Sequence, residues 1–254
     1  MNARYYGNQY IAGETMKIAI CEDERVYLDL IRERTLSFFK RQNMEVTVHS
    51  FDDAIGLLNK IDEGRDYDLI LMDIQMKHSD GMEAAAALRE RKVDSCIIFV
   101  TAIEEMAVQG YGVDALDFVV KKRLDERLPE ALKHFLEKYR KNTIVIPVKG
   151  YLQSDKTAVI KLSELLWVES DGRDSKFVTR NEEIESSLNI GKAKEMLPEA
   201  DFTESYKSVF VNISEIKRVG GDTVLMSNDR TLPISRRKRN DVLCAVLNKV
   251  KGIQ

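Results

Sequence analysis

The sequence predicts an α/β doubly wound, five-stranded parallel sheet followed by a mainly-β domain. Three observations carry this expectation. Strand and helix patterns alternate five times up to about residue 141, short apolar runs end repeatedly in polar residues, and from Thr143 nearly every pattern is that of a strand.

Lys17-Ile18-Ala19-Ile20-Cys21 reads as the first strand and runs into Glu22-Asp23. Glu24 to Lys40 follows as a helix with Tyr27, Ile31 and Phe38 on one face. Glu45 to Phe51 alternates as a strand, and Asp52 or Asp53 opens a helix through Ile55, Leu58 and Ile61 that Gly64 ends. Leu69-Ile70-Leu71-Met72 is a continuous apolar strand that delivers Asp73 at its end. Gly81 to Arg91 is a helix, Ile97 to Val100 a strand ending in Thr101, and Glu104 to Gln109 a short helix. Phe118-Val119-Val120 ends in Lys121, and Glu130 to Lys141 forms the last helix of this half. Met1 to Thr15 lacks a clear period and is expected to be a flexible leader.

The second half, expected to begin at residue 142, alternates through Ile144, Ile146 and Val148. Strands follow at Ala158–Leu162, Leu165–Val168, Phe177–Thr179, Val209–Val211, Ile216–Val219, Thr223–Met226 and Thr231–Ile234. Two helices interrupt them, Ile190–Leu197 and Arg236–Val250, the latter with Val242, Val246 and Val250 expected to face the core. Trp167 and Tyr206 are expected to be packing residues.

Composition excludes several classes. At 44% hydrophobic and 32% charged the chain has the composition of a globular protein, and no apolar run approaches the roughly eighteen residues that span a bilayer, so no membrane partner and a cytoplasmic location are expected. Cys21, Cys96 and Cys244 lack metal-ligand spacing, and the scattered His49, His78 and His134 support neither a zinc site nor a Ser/His/Asp triad. Basic and acidic residues number 21 and 26 up to Asn142 but 18 and 16 beyond it, which makes the second half the better suited to a polyanion.

In open α/β sheets ligands bind beyond the carboxyl ends of the strands. Four such ends here supply an acidic pair, a lone Asp, a hydroxyl and an ammonium. Glu22, Asp23 and Asp73 offer the oxygen ligands that Mg2+ prefers. Asp73 can then act as nucleophile towards a phosphoryl group, with Lys121 offsetting charge on its oxygens and Thr101 donating a hydrogen bond, to give an acyl phosphate.

Lys17 to Glu24, Asp68 to Gln75, Asp80-Gly81, Val100-Thr101-Ala102 and Ala115 to Lys121 together resemble the receiver domain of bacterial two-component response regulators, which has a flavodoxin-like fold. The resemblance implies that a sensor histidine kinase phosphorylates Asp73 and that Glu22, Asp23, Asp73 and the backbone carbonyl of Gln75 hold magnesium. It further implies that Thr101 and Phe118 form a switch pair and that phosphorylation promotes homodimerisation. A regulator of this kind is not a classical enzyme, having at most slow autophosphorylation and autodephosphorylation. Lys77 and Lys122 stand where the family usually has proline.

The second half resembles the LytTR type of DNA-binding domain, in the manner of AgrA and LytR. The matching residues are Ile160-Lys161-Leu162, Leu165 to Glu169, Tyr206 to Asn212 and Leu232 to Arg237. The resemblance implies that loops enter the major grooves of double-stranded DNA. The candidate loops are Asp171 to Lys176, the corner at Tyr206-Lys207-Ser208, and Ser235 to Arg239. Arg236 or Arg237 has the geometry to read a guanine edge, Lys176, Lys207 and Lys238 are suited to phosphates, and Arg173 and Ser175 are further candidates. Four cations at a helix N-terminus oppose the helix dipole, so local helix stability does not account for Arg236 to Arg239.

The expected function is therefore that of a phosphorylation-controlled transcription factor. Two alternatives remain. One is a receiver working through protein contacts without phosphorylation. The other is a magnesium-dependent phosphohydrolase, which in its common form needs a second carboxylate where this chain has Gln75.

Overall fold

A computed structural model describes residues 15–103, 112–150 and 157–251. The expected leader, apart from Thr15, and the expected helix at Glu104 to Gln109 lie outside the described residues. The described residues up to Arg140 form one compact unit, and those from Lys141 another.

In the first unit β1 (Met16–Cys21), α1 (Arg25–Arg41), β2 (Val46–Phe51), α2 (Ala54–Asp62) and β3 (Leu69–Met72) follow in turn. A two-residue hairpin comes next, β4 (Gln75–Met76) with β5 (Ser79–Asp80), and then α3 (Gly81–Glu90), β6 (Cys96–Thr101), β7 (Asp117–Val120) and α4 (Leu124–Lys141). The five long strands form a parallel sheet in the order β2-β1-β3-β6-β7. Because side chains alternate across a strand, the apolar runs supply both faces. Ile18, Ile20, Leu69, Leu71, Ile98 and Val100 pack under α1 and α4 with Ile31, Phe39 and Phe135. Ala19, Cys21, Ile70, Met72, Ile97 and Phe99 pack under α2 and α3 with Leu57, Ala85 and Leu88.

Caps fix the helix starts. Asp53 accepts the Gly56 amide at 2.7 Å, and Asp80 accepts those of Met82 and Glu83 at 2.7 and 3.1 Å. Helix α4 begins at Leu124, earlier than the expected start at Glu130, and carries Pro129 inside it. Leu124 and Leu128 are both buried, and their packing outweighs the single hydrogen bond that Pro129 removes.

The second unit opens with the hairpin β8 (Thr143–Pro147) and β9 (Thr157–Lys161). It continues with β10 (Leu165–Asp171), β11 (Asp174–Thr179), β12 (Glu183–Ser186), α5 (Ile190–Glu195), β13 (Phe202–Tyr206) and β14 (Val209–Asn212). Last come β15 (Ile216–Val219), β16 (Thr223–Met226), β17 (Thr231–Pro233) and α6 (Arg239–Lys251). The central sheet has the order β12-β11-β10-β14-β13, and β15-β16-β17 form a smaller sheet. Pairing of β10 with β11 shifts register between Leu165 and Trp167. This bulge turns Leu166 and Trp167 to one face while Leu165 and Val168 face the other, so β10 contributes to both cores of the unit.

Two expectations for side chains need correction. On α6, which meets β13, β15 and the turn at Ile213–Glu215, only Val242 is buried; Val246 is half-buried and Val250 is 80% exposed, so the apolar stripe leaves the core towards the end of the helix. Tyr206, expected to pack, is 46% exposed where a second bulge turns it out of β13.

Candidate functional site

The carboxyl edge of the parallel sheet gathers the first set of candidates. Glu22 and Asp23 follow β1, Asp73 follows β3, Thr101 ends β6 and Lys121 follows β7. Backbone bonds hold the edge in register: the Glu22 amide donates to the Phe51 carbonyl at 3.0 Å and the Asp73 amide to that of Cys21 at 2.9 Å. Glu22, Asp73, Thr101 and Lys121 are all buried.

Lys121 Nζ donates to Asp73 Oδ2 at 2.7 Å and to Glu22 Oε1 at 2.8 Å. It also stands 3.6 Å from Glu24 Oε1 and 4.5 Å from the centroid of the Tyr27 ring. Burial alone would push the Lys121 ammonium down, but the hydrogen bonds it donates to Asp73 and Glu22 outweigh it and hold the group above its ordinary range. Burial pushes the Glu22 carboxyl up to about 7, against the pull of Lys121 and with a further push from the charge on Asp73.

Glu22, Asp23 and Asp73 each present a carboxylate oxygen within 4.8 Å of the others. Glu22 Oε2 lies 2.8 Å from the Lys121 ammonium but outside hydrogen-bonding alignment, and it is a buried oxygen without a donor. An all-oxygen set with such an unsatisfied anionic atom fits a hard divalent cation. Gln75 lies two residues beyond Asp73 in the short hairpin, and its amide reaches Asp73 Oδ1 at 3.4 Å.

The parallel register of β6 and β7 pairs Phe99 with Phe118 and Thr101 with Val120. Phe118 is half-buried, its ring centroid 5.0 Å from that of Phe99, and the Thr101 hydroxyl accepts the Ile103 amide at 3.3 Å. Sequence reasoning missed Glu24 and Tyr27 as neighbours of Lys121. Glu24 adjoins the acidic pair, but Tyr27 reads as one more apolar helix position.

In the second unit two backbone hydrogen bonds draw the three candidate loops to one edge. The Ser170 amide, at the end of β10, donates to the Ser208 carbonyl at 3.0 Å, and the Ser235 amide, after β17, donates to the Ser205 carbonyl at 2.9 Å. The turn after β10, the β13–β14 turn and the segment leading into α6 thus lie side by side. Gly172 and Ser208 take positive φ, 63° in each case, to make the two turns.

Arg173, Lys207, Arg236 and Arg237 are exposed and form no ion pair among the described residues. Lys238 Nζ lies 2.9 Å from Glu204 Oε2, and Lys176 Nζ lies 3.4 Å from Glu183 Oε2. Ser175 corrects the sequence reading: it is fully buried and its hydroxyl donates to the Leu188 carbonyl at 2.9 Å, because its place in β11 points it into the unit.

Comparison with known proteins matches residues 18–133 to the response regulator receiver domain and residues 155–245 to the LytTr DNA-binding domain. The transcriptional regulatory protein NatR of Bacillus subtilis is 30% identical over 82% of this chain and 87% of its own. The sensory transduction protein LytT of Oceanobacillus iheyensis is 28% identical over 86% of this chain and 92% of its own. Among solved structures, the response regulator protein TrrA from Thermotoga maritima is 25% identical, with a TM-score of 0.42 over 48% of this chain and 99% of that one. No helix among the described residues is long and apolar enough to cross a membrane. The chain belongs to the response regulators that join a receiver domain to a LytTR DNA-binding domain, and it is a transcription factor rather than a classical enzyme.

Proposed function

We propose that this regulator is switched by phosphorylation of Asp73 by a sensor histidine kinase. The observation that carries the reading is the buried contact of Lys121 with both Asp73 and Glu22, beside an acidic trio within 4.8 Å. An Asp73 carboxylate oxygen attacks the phosphorus of phosphohistidine, the P–N bond breaks, and its electron pair stays on the imidazole nitrogen, which takes up a proton. Magnesium would be held by Glu22, Asp23, Asp73 and the Gln75 carbonyl, and would offset charge on the phosphoryl oxygens. Lys121 pairs with one of those oxygens, and the Thr101 hydroxyl donates to another. Drawing Thr101 inward vacates space that the Phe118 ring follows into, which reshapes the β7 face and favours homodimerisation. The same site supports slow uptake of phosphate from small-molecule donors and slow hydrolysis of the acyl phosphate by water.

Residues 16–141 form the receiver on this reading and 142–254 the DNA-binding domain, and the protein is cytoplasmic. Lys207, Arg236 and Arg237, with Arg173 beside them, face double-stranded DNA across the laced loop edge. Lys176 and Lys238 contribute phosphate contacts if they leave their carboxylates.

The test is binding to duplex promoter DNA from the neighbourhood of the gene, with and without a phosphodonor and magnesium, for wild type and Asp73→Asn. Tighter binding on phosphodonor in wild type alone is expected. Equal response in both proteins removes Asp73 as the switch, and no binding by either at low salt removes the DNA-loop assignment.

A further inference from the structure

Asp23 is engaged twice by one residue of the loop that follows the phosphoacceptor. The Lys77 amide donates to Asp23 Oδ2 at 3.0 Å, and the Lys77 ammonium lies 4.0 Å from the same oxygen. The Asp23 side chain is 11% exposed, whereas that of Lys77 is 73% exposed. The β4–β5 hairpin places Lys77 at its tip and brings it back over the acidic trio. A proline at this position could make neither contact, since it has no N–H and no charge.

A divalent cation at Glu22, Asp23 and Asp73 draws on the full negative charge of Asp23. The Lys77 ammonium makes the potential there less negative and would face the incoming ion across one carboxylate oxygen. We propose that Lys77 is a tethered cation that weakens divalent-metal binding at the acidic trio. Lys77 acts as a positioning residue, through Asp23, and sets how much free magnesium the receiver needs before it can be charged. The inference rests on the magnesium site of the preceding section.

Titration calorimetry of the full chain with magnesium chloride, without phosphodonor, tests it. Lys77→Met keeps the amide and removes the charge, and is expected to tighten magnesium roughly three- to tenfold at low salt, the size of a Coulomb repulsion across a few ångströms of solvated protein. Lys77→Arg is expected to bind as wild type does, and added salt to narrow the gap between Lys77→Met and wild type, because an exposed ammonium is screened. Affinities for Lys77→Met and wild type within twofold of each other overturn the inference and leave the magnesium site standing. Asp23→Asn separates the two readings: if it binds magnesium as tightly as wild type, or if wild type binds none, the site itself is wrong and the inference falls with it.

Discussion

Gly81 lies so close to the backbone of Asp73 that a Cβ on it would stand 2.1 Å from the Asp73 carbonyl oxygen. Its own amide donates to the Ile74 carbonyl at 2.7 Å, so the first turn of α3 is docked directly on the segment that carries Asp73. Neither backbone can give way without moving the carboxylate. Gly81→Ala is therefore expected to cost at least ~2 kcal/mol of stability and to slow phosphate uptake on Asp73. Thermal unfolding and phosphate-affinity electrophoresis after exposure to a phosphodonor would show both effects. Uptake at the wild-type rate would mean that the site tolerates the shift.

Asn212 closes the end of β14. Its Nδ2 donates to the carbonyls of Leu162 and Leu165 at 3.2 and 2.9 Å, while its Oδ1 accepts the Ser214 amide at 3.0 Å. The residue is buried, so Asn212→Ala strands two carbonyls and an amide away from water. A loss of about 3 kcal/mol in the second unit is expected from chemical denaturation followed by circular dichroism. A loss below ~1 kcal/mol would mean that water fills the gap.

His49 gives the first unit a pH dependence. Burial, with Arg65, Arg32 and Lys17 adding to it, holds its imidazole below the ordinary 6.5. A base whose folded pKa is depressed contributes stability that is fully present above the unfolded value and is lost as pH falls through the folded one. The melting temperature of wild type is thus expected to fall faster than that of His49→Gln as pH is lowered from about 7 towards about 5. Parallel curves for the two proteins would assign the acid sensitivity elsewhere.

On the loop edge proposed to face DNA, exposed unpaired cations should matter more than paired ones. Lys207→Ala is expected to reduce the slope of log affinity against log salt by about 1, and Arg237→Ala to cost about 1–3 kcal/mol with relaxed sequence preference. Lys176→Ala, which removes a partner of Glu183 that Arg230 continues to hold, should do less. A Lys176 effect as large as that of Lys207 would show that the ion pair opens on DNA. Filter binding across a salt series measures all three.

The parallel sheet was legible because β1, β3 and β6 are buried on both faces and so read as unbroken apolar runs, and because the polar residue closing each run marks the edge where chemistry collects. A cap at Asp52 or Asp53 was legible too, and the hydrogen bond to the Gly56 amide identifies it as Asp53. The β4–β5 hairpin was not, since two-residue strands leave no alternation to read. Strands β12 and β13 escaped notice for a different reason. Both are rich in Glu, Ser and Thr, and β13 carries a bulge at Ser205 that breaks its period. Ser175 shows the limit at single-residue scale: a serine in a charged loop looks like a surface group, and only strand register reveals that it points inward. Arg236 and Arg237 were singled out among four cations at an expected helix start, but α6 begins only at Arg239, so Arg236, Arg237 and Lys238 lie in the turn that precedes it.

The bulge in β10 also has a spectroscopic consequence. Trp167 is the chain's single tryptophan, and the bulge buries it in the core shared with β16, β17 and α6, with the Arg230 guanidinium 5.7 Å from its ring. Intrinsic tryptophan emission therefore reports from the DNA-binding half alone. Any change in that emission when a phosphodonor is added would be a message received from the other half of the chain, visible without a label.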